Sequence, residues 1–158
     1  MPSILFVCTG NQYRSPIAAE LFRKKLAQKG DGVRWTIGSA GTWTPSGLPP
    51  LAAAMELAQS LDVNLDGHMT TALGKKLLEE YDAVLVMEQG HEESIRAEFP
   101  SSRTKVHLLS EVVDGIRYDV PDPAGGDESA SEIIHDLARM IDQGFENIYR
   151  VARSELNS

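Results

Sequence analysis

Apolar residues recur along the chain in two rhythms. Ile4 to Val7 and Ala83 to Met87 are short unbroken apolar runs, as in strands covered on both faces, and Lys105-Val106-His107-Leu108-Leu109 is a third strand candidate. Val33-Arg34-Trp35-Thr36-Ile37-Gly38 alternates apolar and polar and predicts another strand. Between them the period lengthens. Ile17, Leu21, Phe22 and Leu26 recur at helical spacing, with Arg23, Lys24, Lys25 and Lys29 turned to water and Gly30 as a stop. Pro49-Pro50 leads into an alanine-rich helix over Leu51 to Leu61, Leu73, Leu77, Leu78 and Tyr81 mark another, and a polar helix runs near Gly90 to Phe99. Ile134, Leu137, Ala138, Ile141, Phe145, Ile148 and Ala152 predict one long amphipathic helix that closes the fold. Strand, helix, strand at the start is the βαβ opening of a parallel sheet, so the expected class is α/β.

Composition narrows this picture. The 158 residues suit one domain, expected over residues 1–154 with a fraying tail at 155–158, and no repeat or linker divides it. Hydrophobic and charged contents of 42% and 24% are those of a globular protein, and no run approaches the roughly 20 apolar residues that span a bilayer. Met1 to Val7 lacks the features of a signal peptide, so a cytoplasmic location is expected. A formal net charge of −8 argues against nucleic acid or an anionic membrane as partner. The one cysteine, Cys8, cannot close an internal disulfide, which agrees with a reducing compartment and leaves a thiol to explain. His91, His107 and His135 show no metal-ligand spacing, so neither a metal nor another cofactor is expected.

That thiol ends the first strand. Gly10-Asn11 then marks a sharp loop, and Ser15-Pro16 reads as a helix start in which the serine caps a free N–H and proline takes the first helical position. The loop therefore wraps a helix N-terminus, whose free N–H groups and dipole attract anions. A cysteine there is placed to act as a nucleophile. Arg14, on the far side of the loop, can fold back and grip two oxygens of a phosphate-like anion.

With Val7-Cys8-Thr9-Gly10-Asn11-Gln12-Tyr13-Arg14-Ser15-Pro16 in view, the Cys-x5-Arg-Ser pattern near the N-terminus resembles the low-molecular-weight protein tyrosine phosphatases, including their bacterial protein-arginine phosphatase branch. The likeness extends through most of the chain. It implies a single three-layer domain with a central parallel four-stranded sheet in the flavodoxin-like order 2-1-3-4 and helices on both faces. It also implies roles. Cys8, Arg14 and Asp122, the last in Asp122-Pro123, would be catalytic; Thr9, Gly10, Asn11, Gln12, Tyr13 and Arg14 would hold the phosphate; Ser15, Asn11, Ser39 and His68 would support the loop, with His68 hydrogen-bonded to Asn11. Gln12, Tyr13 and Trp43 would line the substrate cleft, and Asp119 is the weaker local candidate for the acid.

The resemblance implies a phosphocysteine intermediate in hydrolysis of phosphorylated protein side chains, phosphotyrosine first and phosphoarginine second. A small aryl phosphate would serve as a model substrate, inorganic phosphate would be product and inhibitor, and the protein would be a monomer. Four places depart from the family pattern. Thr70 and Thr71 lie where an arginine often follows the histidine, Tyr13 replaces a second loop cysteine, Ala124 and Gly125 replace the aromatic residues after Asp-Pro, and Gln12 is neither the apolar residue of many tyrosine phosphatases nor the threonine of the arginine-phosphatase branch. Two rivals fit the same loop: an arsenate reductase that draws on an external thiol, and a non-hydrolytic phosphoryl carrier or phosphate-binding module. A carrier needs no leaving-group acid, so Arg14 and Asp122 count against it.

Overall fold

In the computed structural model, which describes residues 1–124 and 129–156, the strands β1 (Ser3–Cys8), β2 (Thr36–Gly41), β3 (Ala83–Val86) and β4 (Val106–Leu108) form one sheet. All neighbours are parallel and the order is β2-β1-β3-β4. The helices are α1 (Arg14–Gln28), α2 (Ala52–Ser60), α3 (Lys75–Glu79), α4 (Gln89–Glu98), α5 (Leu109–Asp114), α6 (Ala130–Gln143) and α7 (Phe145–Leu156). Because side chains alternate across a strand, Ile4 and Phe6 of β1 join Leu85 in a core against α1, α6 and α7, while Leu5 and Val7 join Val84 and Val86 against α3 and α4. This is the expected three-layer α/β fold. Among the described residues no helix is long and apolar enough to cross a membrane.

The helix that begins at the cysteine loop is fixed from behind by aromatic packing. Phe22 stacks on Phe145 with ring centroids 4.9 Å apart and touches Phe6 and Trp35, and Trp35 meets Tyr149 at 4.8 Å. Such contacts hold α1 against β1 and α7, so its N-terminus has a defined place at the sheet edge.

Three expectations need correction. The second strand is not Val33 to Gly38: Gly32–Arg34 forms a 3₁₀ turn and the strand runs Thr36–Gly41, in register from Ser3↔Thr36 to Cys8↔Gly41. Its last residues are small because of what covers them; a Cβ on Gly38 would lie 2.2 Å from the Tyr81 hydroxyl oxygen. Small residues read as loop in the sequence. The last helix is two helices, broken at Gly144, where a Cβ would meet the Met140 carbonyl and Val113 Cγ2, each at 2.5 Å. The apolar stripe stays in phase across the break, which hid it. Finally, α1 starts at Arg14 with Tyr13 as its cap residue, and no side chain caps it. Ser15 lies inside the first turn with its hydroxyl engaged elsewhere. Pro16 still falls in that turn, where its missing N–H has no intrahelical partner to lose.

Candidate active site

Cys8 ends β1 between two parallel neighbours, so the loop after it opens at the carboxyl edge of the sheet, where open α/β folds collect their ligands. The Cys8 Sγ lies 3.0 Å from the Ser15 Oγ, and the Asn11 N–H donates to it at 3.3 Å. Ser15 Oγ accepts from Asn11 Nδ2 at 2.8 Å, and its own hydrogen is in reach of the sulfur and, at 3.5 Å, of the Ala40 carbonyl. Both contacts suit a sulfur that carries negative charge.

Asn11 holds the loop in shape. Its φ of +57° is left-handed, a conformation asparagine tolerates better than most residues. Fully buried, it satisfies each polar group: Oδ1 accepts from the Thr71 N–H at 2.8 Å, Nδ2 donates to Ser15 and, at 2.9 Å, to Ser39 Oγ, and its carbonyl accepts from His68 Nε2 at 2.7 Å. Ser39 and His68 thus both bond to Asn11. The Thr70–Thr71 segment is built into the same frame, because Thr70 Oγ1 donates to the Pro45 carbonyl at 2.6 Å and accepts from the Leu48 N–H at 2.9 Å. Gly41 completes the seat: a Cβ there would fall 2.6 Å from the Thr9 carbonyl oxygen.

Arg14 is 2% exposed, and its Nη1 donates to Glu88 Oε2 at 2.5 Å and to the Val120 carbonyl at 2.7 Å. Its buried Nε has no partner among the described residues. A cavity of about 120 Å³ opens beside it, lined by Cys8, the loop residues Gly10 to Arg14, and Leu51, Asp122 and Ala124. A wider groove of about 650 Å³ follows α1 elsewhere, but it holds no nucleophile and its cations are paired, Lys24 with Asp62 and Arg23 with Glu20.

Asp122 and Asp119 part ways here. Asp122 lines the cavity, with Oδ1 accepting from the Ala124 N–H at 2.9 Å. Asp119 Oδ1 instead accepts from the Gln89 N–H at 2.8 Å and helps to start α4. Tyr13 lines the cavity too; its hydroxyl is buried without a partner among the described residues. Burial raises its pKa, and the carboxylates of Asp122 and Glu56 push the same way, so it stays a phenol through the neutral range. Gln12 also lines the cavity, with Nε2 donating to the Pro49 carbonyl at 2.8 Å. Trp43 is bound to the loop by its backbone, whose N–H meets the Thr9 carbonyl at 3.0 Å, while its side chain is 85% exposed and does not line the cavity. Gly125 lies outside the described residues.

Comparison with known proteins decides the lineage. The family model for low molecular weight phosphotyrosine protein phosphatase matches residues 3–156. The chain belongs to that family. It is therefore a cysteine-dependent phosphatase, as the motif implied. A protein-arginine-phosphatase of Bacillus subtilis is 34% identical over 87% of this chain and 95% of its own length. The low molecular weight protein-tyrosine-phosphatase Etp of Escherichia coli is 33% identical over 89% of this chain and 90% of its own. A solved structure of the YwlE arginine phosphatase, a cysteine-to-serine mutant with a phosphorylated active site serine, superposes with a TM-score of 0.81 at 32% identity, covering 89% of this chain and 91% of that one.

Within this low molecular weight phosphatase, sequence reasoning missed Glu88, the Val120 carbonyl and Thr71. Glu88 had a positional signal: it stands two residues beyond β3, the strand beside β1, at the edge where ligand-handling groups gather. Val120 and Thr71 contribute backbone atoms, and their side-chain types carry no trace of that.

Proposed function

We propose that the protein removes phosphate from protein side chains by two transfers through Cys8. The thiolate attacks phosphorus while the Asp122 carboxylic acid gives its proton to the leaving atom, and the S–P bond forms as the bond to the side chain breaks. Water, deprotonated by the Asp122 carboxylate, then attacks the phosphocysteine, releasing inorganic phosphate and restoring the thiolate. The unpartnered Nε side of Arg14 and the amides from Thr9 to Arg14 receive the phosphoryl oxygens as charge redistributes. One observation carries this reading: sulfur, a buried guanidinium with an unused donor and an aspartate border the same small cavity.

Phosphotyrosine is the substrate this reading favours, and inorganic phosphate competes for the same cavity of a monomeric enzyme. Phosphoarginine is the second reading, supported by Ala124, which lines the cavity where an aromatic residue would stack on a phenyl ring. Turnover of phosphotyrosine and phosphoarginine peptides by one preparation tests both. Preference for the first supports the reading, and preference for the second replaces the substrate while leaving the reaction intact. Full aryl phosphate hydrolysis by Cys8→Ser overturns the reaction itself.

A further inference from the structure

His91, 6% exposed on α4, takes no part in the reaction just described, yet it touches both sides of the site. Its Nδ1 accepts from the Glu88 N–H at 3.1 Å. A nitrogen that accepts carries no proton, so the ring hydrogen is on Nε2 and is donated to Thr9 Oγ1, 2.8 Å away. The Glu88 side chain in return accepts from the backbone N–H of His91, closing a reciprocal cap at the start of α4. The same Glu88 carboxylate holds Arg14.

We propose that His91 is a positioning residue for the phosphate loop, tying Thr9, the first loop residue after the nucleophile, to the cap that aims Glu88 at Arg14. The inference rests on the phosphatase reading for its purpose, though not for its geometry. The imidazole must be neutral to serve, because a proton on Nδ1 would set one donor against another. The charged groups facing it are Glu88 of its own cap, Arg14 from α1 and Asp119 from the segment after α5. Burial, assisted by Arg14 and opposed by Glu88 and Asp119, lowers its pKa to about 4. His91 is thus uncharged at neutral pH.

A buried histidine that merely caps a helix would give the same picture, so the test separates cap from tether. His91→Asn keeps an acceptor for the Glu88 N–H and loses the reach to Thr9; Thr9→Val loses the same bond from the other end. Each change is expected to lower kcat for an aryl phosphate three- to tenfold, about the worth of one hydrogen bond, and to weaken inorganic phosphate binding by a similar factor. The double variant should fall no further than the poorer single variant. Imidazole ¹⁵N spectra of the unaltered protein should show the Nε2–H form from pH 8 to 5, with that signal moved by Thr9→Val. Wild-type kcat and phosphate affinity in His91→Asn, additive losses, or an Nδ1–H form would each overturn the proposal. An unaltered protein that fails to turn over the aryl phosphate would sink the phosphatase reading instead, and the imidazole spectrum would still decide the Thr9–His91 bond.

Discussion

The Glu88 carboxylate meets the Arg14 guanidinium at 2.5 Å, so the loop after β1 and the residue two places beyond β3 share one ion pair at the carboxyl edge of the sheet. The bonds to Glu88 and Val120 both use Nη1 of the arginine, and its Nε is left without a partner among the described residues.

Glu88→Gln keeps the shape and removes the charge that fixes Arg14. We expect kcat/KM for an aryl phosphate to fall roughly ten- to a hundredfold, equal to about 1.4–2.7 kcal/mol of transition-state stabilisation. Steady-state kinetics beside a thermal melt checks this. Unchanged kinetics would mean that Arg14 is held well enough by the Val120 carbonyl alone.

Gly41→Ala tests the seat of the loop from outside it. The added methyl would press on the Thr9 carbonyl and on Thr44 Cγ2, each 2.6 Å away. The expected cost is about 1–3 kcal/mol of stability, with a fall in kcat at temperatures where the variant is still folded. Denaturant unfolding and turnover of the same sample measure both.

Acid stability should carry the mark of His91. Its pKa is about 4 in the folded protein against 6.5 for the free side chain, so between those values the unfolded chain binds a proton that the folded protein refuses. This contribution is present above pH 6.5 and is lost as pH falls toward 4. Unfolding free energies of the parent should therefore drop more steeply over that window than those of His91→Asn. Parallel curves would remove the effect.

Oxidation tests what Tyr13 does in place of a cysteine. Cys8 is the one cysteine and is buried, so peroxide should carry its sulfur up the oxidation ladder without an intramolecular disulfide to arrest it. Mass spectrometry of the inactivated monomer should find oxygen added at Cys8, with incomplete recovery on thiol treatment. Full recovery would contradict this.

The parts of the fold most legible in the sequence were those whose signal is chemical and local. Ile4 to Val7 announced a buried strand, and Cys8, Gly10 and Arg14 announced an anion loop, because each residue type there has few other uses in that order. Asp122 was reached through resemblance; it lines the same cavity as Cys8. Elements set by tertiary contact were less legible. The end of β2 looks like loop because Gly38 and Gly41 are small to admit Tyr81 and the Thr9 carbonyl. Ser15 looked like a cap because serine caps many helices, while its hydroxyl in fact serves Cys8 and Asn11. Trp43, expected in the cleft wall, projects to solvent beside the loop.

The central claim is that phosphate passes through the Cys8 sulfur, and rapid quench of Asp122→Asn with an aryl phosphate tests it most directly. Without a carboxylate to deprotonate water, the second transfer should slow more than a first step driven by a good leaving group, and a phosphate adduct should accumulate on Cys8. Sustained turnover with no adduct at Cys8 in that variant, or sustained turnover by Cys8→Ser, would contradict the account.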